Sequence, residues 1–310
     1  MRIWRSAADV PADLGRTVVT IGNFDGVHLG HQQVIRRARA LAGSAHVVAV
    51  TFEPHPMAVL RPEHAPPTLT DIDGRSVLLG EAGVDDLYVV RFTREVADWS
   101  PERFVTEILV DTLHARAVVV GANFRFGSRA SGDVATLVAL GERLGFVAEG
   151  VALDGGPQVW SSTYVRNCLA AGDVEGAAEA LGHPFRVRGV VVRGDRRGRE
   201  LGFPTANIPT VGMHAAPADG VYAGWLRPLD DPARPPYPAA ISVGTNPTFE
   251  GERERRVEAY VLDRDDLELY DVEVEVSFVA RVRGMQRFDS VEELVATMHD
   301  DVSVVRRLLA

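Results

Sequence analysis

Between residues 16 and 154 the chain alternates two kinds of pattern. Five short runs, RTVVTIG, HVVAVTFEP, DDLYVVRF, RAVVVGANF and FVAEGVALD, are nearly continuous in apolar residues. A strand without a polar face is buried on both sides, as in a parallel sheet covered by helices. Between these runs the apolar positions recur at helical spacing. In HQQVIRRARALAG, Val34, Ile35, Ala38, Leu41 and Ala42 share one face, and Arg36, Arg37 and Arg39 take the other. The alternation predicts a doubly wound α/β (Rossmann-like) domain whose ligands gather at the C-terminal ends of the strands. One last helical stretch, SSTYVRNCLAAGDVEGAAEALG, closes it, giving a first domain over residues 1–182.

At His183-Pro184-Phe185 the period changes from helical to two. RVRGVVV, GVYAGWL, AAISVG, RRVEAYVLD and DVEVEVSFVARV are short alternating runs separated by Gly, Pro and Asp clusters. Val272, Val274, Val276 and Phe278 alternate with Glu273, Glu275 and Ser277, which predicts one core face and one solvated face. The acids of DRDDLELYDVEVE are assigned to that solvated face. A second domain over residues 183–310 is therefore expected to be a small antiparallel β-barrel. It ends in a helix started by the capping box Ser290–Glu293, with Val291, Leu294, Val295, Met298, Val302 and Val305 on one face.

Composition narrows the partners. The 310 residues are 46% hydrophobic and 25% charged, ordinary for globular domains, and the formal charge of -10 argues against a duplex nucleic-acid surface. No apolar run approaches the roughly 20 residues of a membrane span. The opening MRIWRSAADVPADLG lacks the apolar core of a signal peptide, so a cytoplasmic protein acting on small molecules is expected, with homo-oligomerisation left open. The single Cys168 excludes an internal disulfide and a thiolate cluster, and its neighbours NCLAAG place it as a small buried hydrophobe. All 33 basic residues are Arg and none is Lys. A lysine-dependent phosphate loop or Schiff base is thereby excluded, so phosphates must be held by Arg, His, backbone amides or metal.

The segment TIGNFDGVHLGHQQVI, Thr20 to Ile35, carries the first candidate chemistry. The strand ends at Gly22, the chain turns through Asn23, Phe24, Asp25 and Gly26, and a helix begins near Leu29 or Gly30. His28 and His31 then stand together beside unpaired backbone N–H groups and the positive end of the helix dipole. That is an anion site whose imidazoles are expected to be neutral donors. Gly22, Gly26 and Gly30 let a nucleotide approach the backbone. Three readings compete on these residues alone: a capping His28 with a surface His31, a zinc pair lacking further ligands, and nucleotidyl transfer.

GNFDGVHLGH resembles the HxGH signature of the nucleotidyltransferase superfamily, in the form found in the FMN adenylyltransferase module of bacterial FAD synthetases. TFEPHP (Thr51 to Pro56), GANFRFG (Gly121 to Gly127) and SSTYVR (Ser161 to Arg166) follow in family order. The resemblance implies that Gly22 to Gly26, His28, His31, Ser162, Thr163 and Arg166 meet ATP. It further implies that Pro54, His55, Asn123 and Phe126 meet the flavin, and that His28, His31 and Arg166 are catalytic. Read unaided, Ser162 or Thr163 can cap a helix, and Arg166 one turn on offers a forked donor to phosphate. Phe124 and Phe126 can stack on a flat ring or form core, and Glu53 and His55 can form a stiff turn. The chain departs from the family in Asn123, where Asp is frequent, and in Tyr164, where Arg is.

The second candidate lies in GVVVRGDRRGRELGFPTANI. Glycines 194, 198 and 202 precede Phe203 and Pro204, and on an extended chain Thr205 and Asn207 point to one side. Their hard oxygen donors suit Mg²⁺ bridging ATP phosphates. In RRVEAYVLD the alternation puts Glu258 on the face of Tyr260 and Leu262, where a carboxylate is costly unless paired with Arg255 or Arg256, or functional. These segments, with GVYAG, ISVGTNPTF and RVRGMQRF, resemble the riboflavin kinase module of the same bacterial enzymes. The resemblance implies that Gly194, Gly198, Gly202, Phe203, Pro204, Thr205 and Asn207 bind nucleotide, Thr205 and Asn207 hold magnesium, and Glu258 is the catalytic base. A flap over flavin is expected within TVGMHAAPADG. Together the two resemblances imply one bifunctional enzyme with ATP, riboflavin and FMN as substrates and Mg²⁺ accompanying ATP.

Overall fold

Apolar, β-branched runs become parallel strands, and the helical repeats between them become the crossovers. The structure, a computed structural model, describes residues 1–152, 160–193, 198, 201–209, 214–231, 233–244 and 256–310. By internal packing the chain divides into Met1–Ser162 and Thr163–Ala310, and each unit is described by itself. In the first unit the strands are β1 (Arg2–Trp4), β2 (Thr17–Ile21), β3 (Val47–Glu53), β4 (Asp86–Arg91), β5 (Ala115–Gly121) and β6 (Val147–Val151). The helices are α1 (Leu29–Ala42), α2 (Pro56–Leu60), α3 (Ile72–Glu81), α4 (Arg94–Ala97), α5 (Pro101–Phe104) and α6 (Val134–Leu144), with a π-helical stretch at Val105–Thr112.

The six strands form one parallel sheet in the order β1-β4-β3-β2-β5-β6. From β2 the chain winds outward through β3 to β4, then crosses back to β5 and β6. The direction of winding thus reverses between β2 and β5, the switch point beyond whose C-terminal ends sheets of this kind bind their ligands. Helix α1 buries Val34, Ile35, Ala38 and Ala42 against the sheet and leaves Arg36 and Arg37 exposed, as its spacing predicts. Fully burying a side chain such as Ile35 contributes about 1.5–3 kcal/mol. The three-residue β1 was invisible in the sequence because a period needs more positions than it has.

In the second unit α7 (Ser162–Ala171, opening on the last residue of the first) and α8 (Val174–Leu181) replace the single closing helix expected from the sequence. Gly172 takes a left-handed φ of 76°, and Asp173 caps α8 by accepting from the Gly176 amide at 2.8 Å. Strands β7 (Phe185–Val190), β8 (Thr205–Pro209), β9 (Gly220–Pro228), β10 (Tyr237–Gly244), β11 (Arg256–Val261) and β12 (Glu273–Gly284) follow, then α9 (Val291–Leu308). The antiparallel order is β7-β12-β9-β10-β11-β8. A bridge between Val192 and Asn207 joins the two ends, so the sheet curls into the expected barrel. Tyr222, Phe185 and Phe278 fill its core.

Two expectations are corrected here. Glu275 is 8% exposed rather than solvated, because Arg188 donates to its carboxylate twice, at 2.8 and 2.9 Å. Val291 is 51% exposed, since α9 packs through Asp301 and Val305 further along. No described helix is long and apolar enough to cross a membrane.

Candidate active sites

In the first unit the β2–α1 turn is backbone under tension. Phe24 and Val27 both adopt left-handed φ values, 49° and 43°, which for a β-branched residue is a marked departure. The cost is met by burial and hydrogen bonds. Phe24 is 1% exposed and lies under the turn, edge-on to His31 with ring centroids 5.1 Å apart. The Asp25 carboxylate, also 1% exposed, accepts from the Leu69 amide at 2.9 Å and the Thr70 amide at 3.0 Å. Both side chains therefore shape the turn from inside, which leaves its backbone as the part that faces outward.

Helix α1 starts at Leu29, and His28 occupies its cap position without using its side chain as a cap. The two imidazoles stack instead, with centroids 3.7 Å apart and planes 26° from parallel. Gly30 makes room: a Cβ there would stand 3.1 Å from the His28 ring and 3.3 Å from the Trp160 carbonyl. Burial first, then His28 and Arg75, push the His31 pKa well below the usual histidine value. The ring is thus held neutral, as the sequence predicts, and presents an N–H at the positive end of the helix dipole.

Around this pair, Ser162 is the first residue of α7 rather than its cap, and its hydroxyl donates to the Asp25 carbonyl at 2.9 Å. Thr163 is exposed, and Arg166 is one turn further along α7. At the end of β3, the His55 Nδ1 accepts from the Met57 amide at 3.2 Å, and its Nε2 stands 3.2 Å from the Asn23 side-chain nitrogen, so TFEPHP and the β2–α1 turn lie side by side. Pro54 and Asn123 are exposed at the ends of β3 and β5. Phe126 is a correction: at 7% exposure it is core, stacked on Phe124 at 5.3 Å and packed on Phe104 at 6.0 Å. Phe124 is half-buried.

Sequence reasoning missed Arg75. On α3, 5% exposed, it donates to the Thr51 hydroxyl at 3.1 Å and the Thr70 carbonyl at 3.0 Å, and its guanidinium lies 3.6 Å from Asp25. Nothing in DIDGRSVLLG marks it out, and only the fold brings it beneath the turn.

The second unit holds a cavity of about 240 Å³ walled by β8, β10, β11, the 264–270 segment and α9. Antiparallel register sets Glu258 opposite both Asn207 and Ser242, and Thr205 opposite Tyr260. The Thr205 hydroxyl donates to Glu258 at 3.4 Å, and the Asn207 amide donates to the Thr205 carbonyl at 3.2 Å. A carboxylate, a hydroxyl and an amide side chain thereby come together. Glu258 shares the face of Tyr260, as the alternation predicts, and both face the cavity half-buried, while Val257, Ala259 and Val261 enter the core and Leu262, beyond the strand, is buried as well. Phe203, 4% exposed, packs edge-on against Tyr260 and His299. Gly198, Phe203 and Pro204 line the same cavity, and Gly202 has a left-handed φ of 88°. Gly194, Arg255, residues 245–249 of ISVGTNPTF and residues 210–213 of the expected flap lie outside the described residues.

Comparison with known proteins gives the family in which these two sites stand. Residues 10–163 match the model of FAD synthetase, and residues 181–309 match that of riboflavin kinase. The bifunctional riboflavin kinase/FMN adenylyltransferase of Escherichia coli K12 is 36% identical over 93% of this chain and 91% of its own length. The chain belongs to the bifunctional riboflavin kinase/FMN adenylyltransferase family. The member from Pseudomonas fluorescens is 38% identical over 94% of this chain and 93% of its own. A crystal structure described as a macrolide-efflux protein from Streptococcus pneumoniae superposes with a TM-score of 0.85 at 31% identity, covering 98% of both chains. In this family setting the HxGH turn falls within the FAD synthetase match and the PTAN segment and Glu258 within the riboflavin kinase match. Zinc loses its place at His28 and His31, which stack on each other instead of diverging toward shared ligands.

Proposed function

We propose that the two reactions of the family divide between the two cavities as follows, with the boundary of the activities between Gly182 and His183. The first step is riboflavin phosphorylation in the barrel. Glu258 takes the proton of the ribityl 5′-hydroxyl, whose oxygen bonds to the γ-phosphorus of ATP as the bond to the bridging oxygen breaks and ADP leaves. The convergence of Glu258 with Thr205 and Asn207 carries this reading. A hard carboxylate-and-oxygen set without sulfur or imidazole fits magnesium, and Thr205 and Asn207 would hold it. When bound, the ion supplies charge neutralisation along the ATP phosphates.

The second step makes FAD beyond the C-terminal ends of β2 and β5. The FMN phosphate is already an anion, so it needs orientation more than a base. Its oxygen bonds to the α-phosphorus of a second ATP, the bond to the β-phosphate oxygen breaks, and pyrophosphate departs with the electron pair. His28 and His31, neutral donors at the α1 terminus, take up charge on the departing group, and Arg166 is the remaining donor assigned to it. With no lysine in the chain, this burden falls on imidazole, guanidinium and backbone. Dependence of both steps on ATP fits the cytoplasmic setting expected from the sequence.

The test is direct. Purified chain given riboflavin and MgATP is expected to accumulate FMN and then FAD by chromatography. Riboflavin bound but unchanged would overturn the reading.

A further inference from the structure

We infer that Arg75 is a positioning residue for adenylyl transfer, a conclusion that rests on the proposed role of the β2–α1 turn. From beneath, its guanidinium sets the turn that presents His28 and His31.

Three observations combine. The Thr51 hydroxyl that accepts from Arg75 at 3.1 Å donates to the Asn23 carbonyl at 2.9 Å. Thr70, whose carbonyl accepts from Arg75 at 3.0 Å, donates its amide to Asp25, and its hydroxyl accepts from the Gly26 amide at 3.2 Å. The guanidinium itself stands 3.6 Å from the Asp25 carboxylate, both groups being almost fully buried. One cation therefore holds residues 23, 25 and 26 by way of two neighbouring segments, bracketing Phe24 and Val27 where the backbone is left-handed. Such conformations persist only when their surroundings over-determine them.

The charge also has a direct effect. The groups acting on His31 are His28 from its own turn and Arg75 from α3, with Asp25 beside Arg75. A cation at that place opposes protonation of His31 and adds positive potential behind the anion site. Lysine could supply the charge but not the fork that reaches Thr51 and Thr70 together.

The test measures FMN-to-FAD conversion and riboflavin phosphorylation on the same full-length chain for wild type, Arg75→Met and Arg75→Lys. The expectation for Arg75→Met is a fall in kcat for FAD formation of about 10²-fold with KM little changed, the scale of a displaced catalytic group. Riboflavin phosphorylation should persist. The acidic limb of kcat/KM for FAD formation should move to higher pH in Arg75→Met and stay in place in Arg75→Lys, which loses part of kcat only. A residue serving stability alone would lower both variants without moving the limb, and that result overturns the proposal. Unchanged FAD formation in Arg75→Met also overturns it. If Arg75→Met loses both activities through misfolding, Arg75→Lys decides: lowered kcat with intact kinase activity supports the proposal, and full activity overturns it. A wild-type chain that makes FMN but no FAD overturns the site reading itself.

Discussion

The imidazoles of His28 and His31 lie face to face, 3.7 Å between centroids. Two positive rings at that distance repel strongly, and burial opposes charge on either. On the proposed role, His31 meets anions as a neutral donor, and the pair gathers positive charge only as negative charge develops opposite.

A pH dependence of stability follows from the depressed His31 pKa, whose first cause is burial. In the unfolded chain the group titrates near 6.5, so below that pH the unfolded state binds the extra proton and stability falls. The loss runs from about pH 6.5 down to the folded value, with a limiting slope of about 1.4 kcal/mol per pH unit, and none arises above it. Melting curves from pH 5 to 8 should show this slope, and His31→Gln should flatten it.

Separate cavities predict separable activities. Glu258→Gln removes the base from the barrel and should lower FMN formation by about 10²- to 10⁴-fold while FMN is still converted to FAD. His31→Ala should do the reverse, costing FAD formation about 10²- to 10³-fold. Chromatographic assay of both products checks the pair, and equal loss of both activities in either variant would sink the two-site reading.

Gly30 isolates geometry from chemistry. Gly30 is the second residue of α1, so only part of the roughly 0.5–1 kcal/mol that Gly→Ala gains in a helix interior applies. Here the added Cβ meets His28 carbon and nitrogen atoms at 3.1 and 3.2 Å, so the ring must give way by a few tenths of an ångström. Gly30→Ala should change the melting temperature little while slowing FAD formation and leaving FMN formation unchanged.

Much of this was legible in the chain because periodicity reports burial. The β2 to β6 runs, the α1 stripe and the alternation of β12 each named their own elements, and the motifs named the two family matches in which they fall. What escaped depends on long-range pairing. Glu275 reads as a solvated strand position until Arg188 arrives from β7, 87 residues away. Phe126 reads as a stacking platform until Phe104 and Phe124 close around it. Asp25 sits in the signature yet is turned inward by amides 44 and 45 residues on. Motifs record which residues a site needs and leave open which of them touch substrate.

Arg283 and Asp301 test how α9 is fixed as a cavity wall. Arg283 on β12 donates to Asp301 on α9 at 2.9 Å through Nε and at 2.7 Å through Nη2. Both side chains line the barrel cavity and are largely buried, 18% and 10% exposed. A buried pair contributes little net stability over an apolar replacement, but removing one partner strands the other charge at a cost of about 3–5 kcal/mol. Arg283→Met should therefore lower the barrel's unfolding midpoint in denaturant strongly, and so should Asp301→Leu. The double variant should recover most of that loss, because no buried charge remains. Riboflavin phosphorylation separates stability from placement: if the ion pair sets the position of Leu294, Met298 and Val302 along the wall, the stable double variant will still show a raised KM for riboflavin. Recovery of stability together with an unaltered KM would reduce the pair to a structural tie.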